Sequence, residues 1–485
     1  MLNLRELVLK MKEDDFKSFS RGLKESKAEK HLLLTEQLRD ERIREEDIIR
    51  TLDLSSNGYY TIKSRLYQKI KEFMSAQLSY PKADLYVNIS HIPNLIYNTA
   101  KNEAILILTK LEKDLLKNDM PQALTIVYSA LKKIHADSRQ YFHYSQQYNK
   151  NLAYTATIEK AEELLVDFNR TLGEYYVSRG EQYLDVLQFI KNEMNAISRQ
   201  YDSHHLKMYK LILDISLAVT IPGMHSCDEE AVEDMLASMD QIFKSFPNDP
   251  VYQHLDKAYH YLAFEYYHGL GIHKKAAVFL EVINETLPSF LLYNFCVLPS
   301  KILISKLEHY LVLKKQQLLF GENKELVKEY EANPESVVNF INYSKYLAVS
   351  AIYSQEYQEA INHLNHLISQ ISFRNYIHAD IEIKLLLVMC NSMVNRYDIA
   401  DTTLKSAIRK INETENDQYE NAKHLSKLLQ MQTSSVAQLP GTLDKMLELR
   451  NKFLSLNNGK SRMLEWLNLS DDFIRALGKP VKGIK

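Results

Sequence analysis

Apolar positions along this chain return every three to four residues, with polar ones filling the intervals. That period puts side chains on one stripe of an α-helix, because residues i, i+3 and i+4 share a face. Leu4, Leu7, Val8 and Met11 make the first stripe, Leu32, Leu33 and Leu38 the second, and Ile62, Leu66, Ile70 and Phe73 a third. The turn-forming run Leu52–Gly58 breaks the pattern before a helix predicted from Tyr59 to Gln77, and Pro81 closes an opening module of residues 1–80. No alternating, strand-like pattern of useful length is present. The pattern therefore predicts an all-α chain.

Beyond residue 80 the prolines act as punctuation. Asn118 and Asp119 before Pro121, Asp249 before Pro250, and Asn333 before Pro334 each place a capping side chain ahead of an early-turn proline. Ser226 and Glu229 have capping-box spacing. Gly321 is expected to end the helix that begins near Ser300, while Ser470 opens the last helix and Gly478 and Pro480 close it. The segments between these marks run about 15–25 residues, the length of a helical-hairpin arm.

An internal repeat is clearest in the second half. Tyr357, Ala360, Leu364 and Leu367 recur, shifted by 40 residues, as Tyr397, Ala400, Leu404 and Ala407, and Leu347-Ala348 aligns with Leu387-Val388. Ala276, Leu280 and Ile283 repeat the spacing, as do Ala123, Val127 and Ala130. A small residue where two helices cross lets their backbones approach, and larger ones fill the gap to the next hairpin. This pattern resembles the tetratricopeptide repeat, although the first-helix glycine of that family is replaced by Ala348 and Val388. The resemblance implies a helical-hairpin repeat array (an α-solenoid) behind a small N-terminal helical module. Its parts would be residues 1–80, a degenerate array over 81–330, the clearest repeats over 331–420, and capping helices with a basic tail over 421–485. It also implies a groove lined by first-helix positions Asn342, Lys345, Tyr353, Glu382 and Ser392, which would take a protein or peptide partner.

Composition narrows the class. Only 12 Gly and 11 Pro occur in 485 residues, too few for turn-rich β architectures. Net charge is −2, so no global field calls for nucleic acid or an acidic membrane. Cys227, Cys296 and Cys390 are odd in number and far apart, as expected of reduced thiols in a cytoplasmic protein. No apolar run approaches a membrane span.

The motifs of phosphate-binding loops, nucleophile elbows and paired-cysteine or His-Glu-x-x-His metal sites are all absent. No cofactor is expected, and the reading is of an interaction protein, not an enzyme. His260, His268 and His273 lie close in sequence, and His363 and His366 are one turn apart, but no acidic or thiol partner stands beside the latter pair at ligand spacing.

One feature supports a different class. Glu46–Ser55 followed by Thr61-Ile62-Lys63-Ser64-Arg65-Leu66 resembles the helix-turn-helix of sigma-factor-type regulators, with Ser56–Tyr60 inserted between the two parts. The resemblance implies a regulator that contacts DNA through Lys63, Arg65, Lys69 and Lys71 and senses a partner through its repeats. Against it, residues 1–80 carry 16 basic and 14 acidic side chains, and the four cations spread around the helix. Protein or peptide binding is the leading expectation.

Overall fold

Among the described residues every regular element is helical, in agreement with the apolar period. The structure is a computed structural model that describes residues 4–9, 11, 13–26, 28–40, 43–52, 55–76, 83–221, 229–247, 249–292, 294–414, 417–433, 441–458 and 462–477. Cys227, Ser226, Gln77, Pro81, Gly478, Pro480 and the basic tail lie outside them. No described helix is long and apolar enough to cross a membrane. The chain divides into two units, Met1–Ser90 and His91–Lys485.

The first unit holds α1 (Leu4–Leu9), α2 (Glu13–Glu25), α3 (Glu29–Leu38), α4 (Glu45–Thr51), α5 (Ser56–Ala76) and α6 (Ala83–Ser90). Val8, Leu34, Ile48, Tyr59 and Leu66 are fully buried at its center, with Phe19 and Phe73 packed ring to ring 5.0 Å apart. Arg39 donates to the carbonyls of Val8 and Met11, at 3.0 and 2.8 Å, and so satisfies acceptors that the end of α1 leaves open. Residues 56–60, an insertion by the helix-turn-helix comparison, are helical. They extend α5 at its N-terminus.

The second unit begins with α7 (Ile92–Asn98), α8 (Lys101–Lys117), α9 (Pro121–Ile134), α10 (Gln140–Ser178), α11 (Gln182–Ser198), α12 (His204–Thr220) and α13 (Glu229–Ser245). It continues with α14 (Pro250–Gly269), α15 (His273–Glu285), α16 (Leu287–Leu292), α17 (Lys301–Val312), α18 (Leu318–Glu329), α19 (Val337–Tyr353) and α20 (Tyr357–Gln370). The last helices are α21 (Ile377–Met393), α22 (Tyr397–Glu413), α23 (Glu420–Thr433), α24 (Thr442–Leu456) and α25 (Asp471–Leu477).

A single turn design links many of these helices. Asp119, Gly271, Lys314, Gln355 and Asn395 all have positive φ, and the N–H of each following residue bonds to the carbonyl five residues back, at 2.8–3.1 Å. This is a Schellman ending, which closes orphan carbonyls and reverses the chain. The turns join α8 to α9, α14 to α15, α17 to α18, α19 to α20 and α21 to α22. From Gly271 onward they recur about every 40 residues. The repeat apolar positions Ala276, Leu280, Ala360, Leu364, Ala400 and Leu404 are all buried, and α14, α17, α19, α21 and α23 pack each against the next.

The break between α17 and α18 corrects the helix end expected at Gly321. Lys314 takes the left-handed conformation instead, and Gly321 lies inside α18. Asn118 and Asp119 likewise do not cap the helix at Pro121. The Asn118 amide donates back to the Asp114 carbonyl at 2.7 Å, and the Asp119 carboxylate accepts the Tyr154 hydroxyl at 2.9 Å. Asp249 does cap α14, accepting the Val251 N–H at 3.0 Å.

The longest element is α10, 39 residues and so about 58 Å. It packs on α9, α11, α12, α19 and α21, crossing elements distant in sequence. Gly173 permits one of these crossings, since a Cβ there would stand 2.9 Å from Val338 Cγ1. Surrounded in this way, α19 is buried at every residue from Phe340 to Ile352, and α21 at nearly all from His378 to Ser392. Cys296 and Cys390 are buried free thiols.

Two alanine substitutions should shift stability in opposite directions. Gly271→Ala forces a β-carbon into φ +73° and should cost about 1–2 kcal/mol. Gly321→Ala, in an open helical position with nothing near its Cβ, should gain about 0.5–1 kcal/mol. Urea midpoints of the two variants check the signs.

Candidate functional site

The residues expected to line an open groove are covered instead. Asn342, Lys345, Glu382 and Ser392 are buried and Tyr353 is half-buried. The face they share is covered by the chain itself, from one side by the C-terminal end of α10 and from another by the non-helical segment 462–470 that precedes α25.

At its center Lys345 Nζ pairs with Glu382 Oε2 at 2.8 Å. Burial alone would raise the Glu382 pKa, but the Lys345 charge outweighs it and holds the carboxyl at about 2. His378 Nε2 lies 3.8 Å from Glu382 Oε1, and burial lowers that imidazole to about 4, so it stays neutral. Asn342 donates to Ser300 Oγ at 3.0 Å, tying α19 to the start of α17. Ser392 keeps a buried hydroxyl without a hydrogen-bond partner among the described residues.

Segment 462–470 is held largely through its backbone. Glu382 Oε1 accepts the Leu464 N–H at 2.8 Å. The Tyr353 hydroxyl donates to the Trp466 carbonyl at 2.9 Å and accepts the Asn468 N–H at 2.7 Å. Asn457 exchanges two hydrogen bonds with Met463, at 2.8 and 2.9 Å, and Arg450 donates to the Leu469 carbonyl at 3.2 Å. The side chains of Met463, Leu464, Trp466, Leu467 and Leu469 are buried beneath it, with Lys345 Nζ 4.8 Å from the Trp466 ring center. Arg179, in the left-handed residue that ends α10, pairs with Glu465 at 3.0 Å. The segment turns as it crosses this face, for Leu464 takes φ +52° and its carbonyl accepts the Leu467 N–H at 2.9 Å.

Three of the five expected residues thus act together: Lys345 and Glu382 as a charge pair, and Tyr353 with Glu382 as backbone partners. Asn342 flanks them, and Ser392 is not among the side chains that bond the segment. Arg179, Asn457 and Arg450 were not found from sequence.

The cations of the DNA-contacting alternative lie on α5 of the first unit. Lys63 is engaged by Glu45 and stands 5.5 Å from the Tyr59 ring center. Arg65 and Lys71 are exposed and Lys69 is half-buried. Comparison with known proteins finds no matching family model, no matching curated protein and no matching solved structure.

A second polar cluster joins α12 to the turns before α9 and α14. His205 Nε2 is 3.1 Å from Asp249 Oδ2 and its Nδ1 3.6 Å from Asp119 Oδ2, while His204 Nε2 is 3.1 Å from the same Asp119 oxygen. Burial by itself would lower His205, but the two carboxylates outweigh it and raise the imidazole to about 9. Burial would also raise Asp119, yet the facing imidazoles and the Tyr154 hydroxyl hold it below the usual carboxylate range. The arrangement is an imidazolium clamped between two acids, a structural staple.

Two tests follow from these clusters. Glu382→Gln strands a buried ammonium and should cost about 3–5 kcal/mol in urea unfolding, whereas Lys345→Met combined with Glu382→Gln should recover most of that loss. For His205, the folded pKa lies above the unfolded value. Its contribution of about 3 kcal/mol is therefore complete below pH 6.5 and lost as pH rises through 9. Thermal unfolding should fall across that window in the wild type and stay flatter in His205→Gln.

Proposed function

We propose that this chain is a non-enzymatic protein- or peptide-binding scaffold of helical-repeat type, similar in layout to tetratricopeptide-repeat proteins. Its binding face is made by α19 and α21. The observation that carries this reading is the way these helices hold residues 462–470, with side chains spent on backbone N–H and C=O groups of a non-helical segment that turns at Leu464–Leu467. A partner segment of like chemistry would present a bulky aromatic residue and small-to-medium apolar neighbors. It would take the same anchors: Glu382 for an N–H, Tyr353 for a carbonyl and an N–H, and the Lys345 ammonium against a ring.

In this arrangement the tethered segment competes with any partner. Tethering gives it an effective concentration in the millimolar range, so a free peptide must overcome that occupancy before it binds. The chain would then have a resting, self-occupied state and a partner-bound state, and the partner's apparent affinity falls by the fraction of chains that are free.

Trp466 is the only tryptophan, and this makes the test direct. A synthetic peptide of residues 462–477 is titrated into the full chain carrying Trp466→Ala, and the peptide's own tryptophan fluorescence is followed. Saturable binding with a blue-shifted emission is expected, at least about tenfold tighter than to a Trp466→Phe chain that keeps an aromatic anchor in its own segment. Absence of binding to the Trp466→Ala chain removes this face as a peptide-recognition surface.

A further inference from the structure

The turn between α14 and α15 brings together side chains that the proposed binding face does not use. His268 lies in the last turn of α14, His273 opens α15, and His309 reaches them from α17. Each offers a ring nitrogen, and the three atoms lie within 4.8 Å of one another. His268 Nδ1 and His309 Nδ1 are 3.4 Å apart. Ligand nitrogens at about 2.0–2.1 Å around a tetrahedral zinc stand about 3.4 Å from each other, so this pair already has the separation of one tetrahedral edge.

The backbone is shaped to hold the three in place. Gly271, at φ +73°, lets the chain reverse within four residues, and the Ile272 N–H closes the turn on the Tyr267 carbonyl at 2.9 Å. The Phe264 ring stacks on His268 and meets His309 edge-on, with both ring centers 5.6 Å away. His309 is only 1% exposed, yet its Nε2 has no hydrogen-bond partner among the described residues, and neither does the buried Nδ1 of His273. Buried imidazole nitrogens ordinarily find a donor or acceptor. The three imidazoles thus converge, with His309 Nδ1 toward His268 and its Nε2 on the other edge of the ring.

The contrast with His204 and His205 is instructive. There a carboxylate oxygen stands 3.1 Å from a ring nitrogen of each, Asp119 for His204 and Asp249 for His205. No carboxylate stands among the ring nitrogens of the His268 group. The nearest, Glu308 Oε2, is 3.9 Å from the outer nitrogen of His268, Nε2, on the side where an outer-shell acceptor orients a metal-bound imidazole. His268 also borders a cleft of about 610 Å³ together with Glu265, Lys301 and Glu308.

We propose that His268, His273 and His309 form a binding site for a divalent transition cation of borderline softness, with Zn²⁺ as the reference ion. Three neutral imidazoles with no thiolate or carboxylate select this class over Mg²⁺ and Ca²⁺, which require oxygen ligands. Three protein ligands leave a fourth position for water or another ligand. The ion would pin the α14–α15 turn to α17 and so lock two successive hairpins together.

The test uses the full chain, stripped with a chelator and dialyzed. ZnCl₂ is titrated by calorimetry, and X-ray absorption of the zinc-loaded wild type counts its imidazole ligands. One saturable equivalent, three imidazoles in the zinc shell and a raised unfolding temperature are expected. His268→Gln and His273→Gln, both at half-buried positions, should each weaken binding more than about 100-fold, beyond the usual cost of losing an outer-shell partner. His204→Gln should leave it unchanged. No saturable binding, a zinc shell with fewer than three imidazoles, or full affinity retained by either the His268 or the His273 variant overturns the site. Loss of binding in His204→Gln alone would assign the ion to the other cluster, and that result overturns it too.

Discussion

A helix buried on every side must satisfy its polar groups from within the protein, and the Lys345–Glu382 pair is where this chain meets that demand. α19 and α21 are enclosed by their hairpin partners, by α10 and by segment 462–470, so both charges are largely withdrawn from solvent. Each is tolerable only because the other lies 2.8 Å away and further donors and rings complete the shell. The pair also fixes register. Glu382 uses one oxygen for Lys345 and the other for the Leu464 N–H, so a single side chain joins α19 and α21 to segment 462–470.

Around that pair, the architecture answers a packing problem. A hairpin buries one stripe per helix and leaves the opposite face of its first helix bare. A continuing row covers part of this by stacking α14, α17, α19, α21 and α23. The remainder is covered by two elements outside the row. α10 crosses closely at Gly173, and segment 462–470 lies over Tyr353 and Glu382. Coverage by a tethered segment differs from coverage by a core helix. It rests on side-chain hydrogen bonds to the backbone of Leu464, Trp466 and Asn468.

The histidines show how burial and charge divide the roles of one residue type. His205 is surrounded by acids and carries a proton as part of a staple. Burial, then the neighboring imidazoles, lower His309 to about 4, and it stands neutral among other rings. Nothing in the local sequence of either histidine separates these outcomes. His309 is about 40 residues from the two rings it meets, and only the stacking of α17 on α14 brings it to them.

The order of apolar positions by itself determined that the chain is helical, and the 40-residue recurrence of Tyr357–Leu367 marked hairpins whose buried positions the structure reproduces. These features are local: a 3.6-residue period and a small residue at a crossing act within one or two helices. The tetratricopeptide resemblance singled out Lys345, Tyr353 and Glu382 as lining an open groove, whereas Lys345 and Glu382 are buried and Tyr353 half-buried. What lies against those residues was not legible in the sequence. Leu464 and Trp466 meet Glu382 and Tyr353 across about 80–115 residues of intervening chain, and Gly321 lost its expected role because Lys314 accepted a left-handed turn that packing sustains. Contacts of such range depend on how whole helices stack, and stacking is decided by the summed fit of many side chains, which no single stretch of sequence contains.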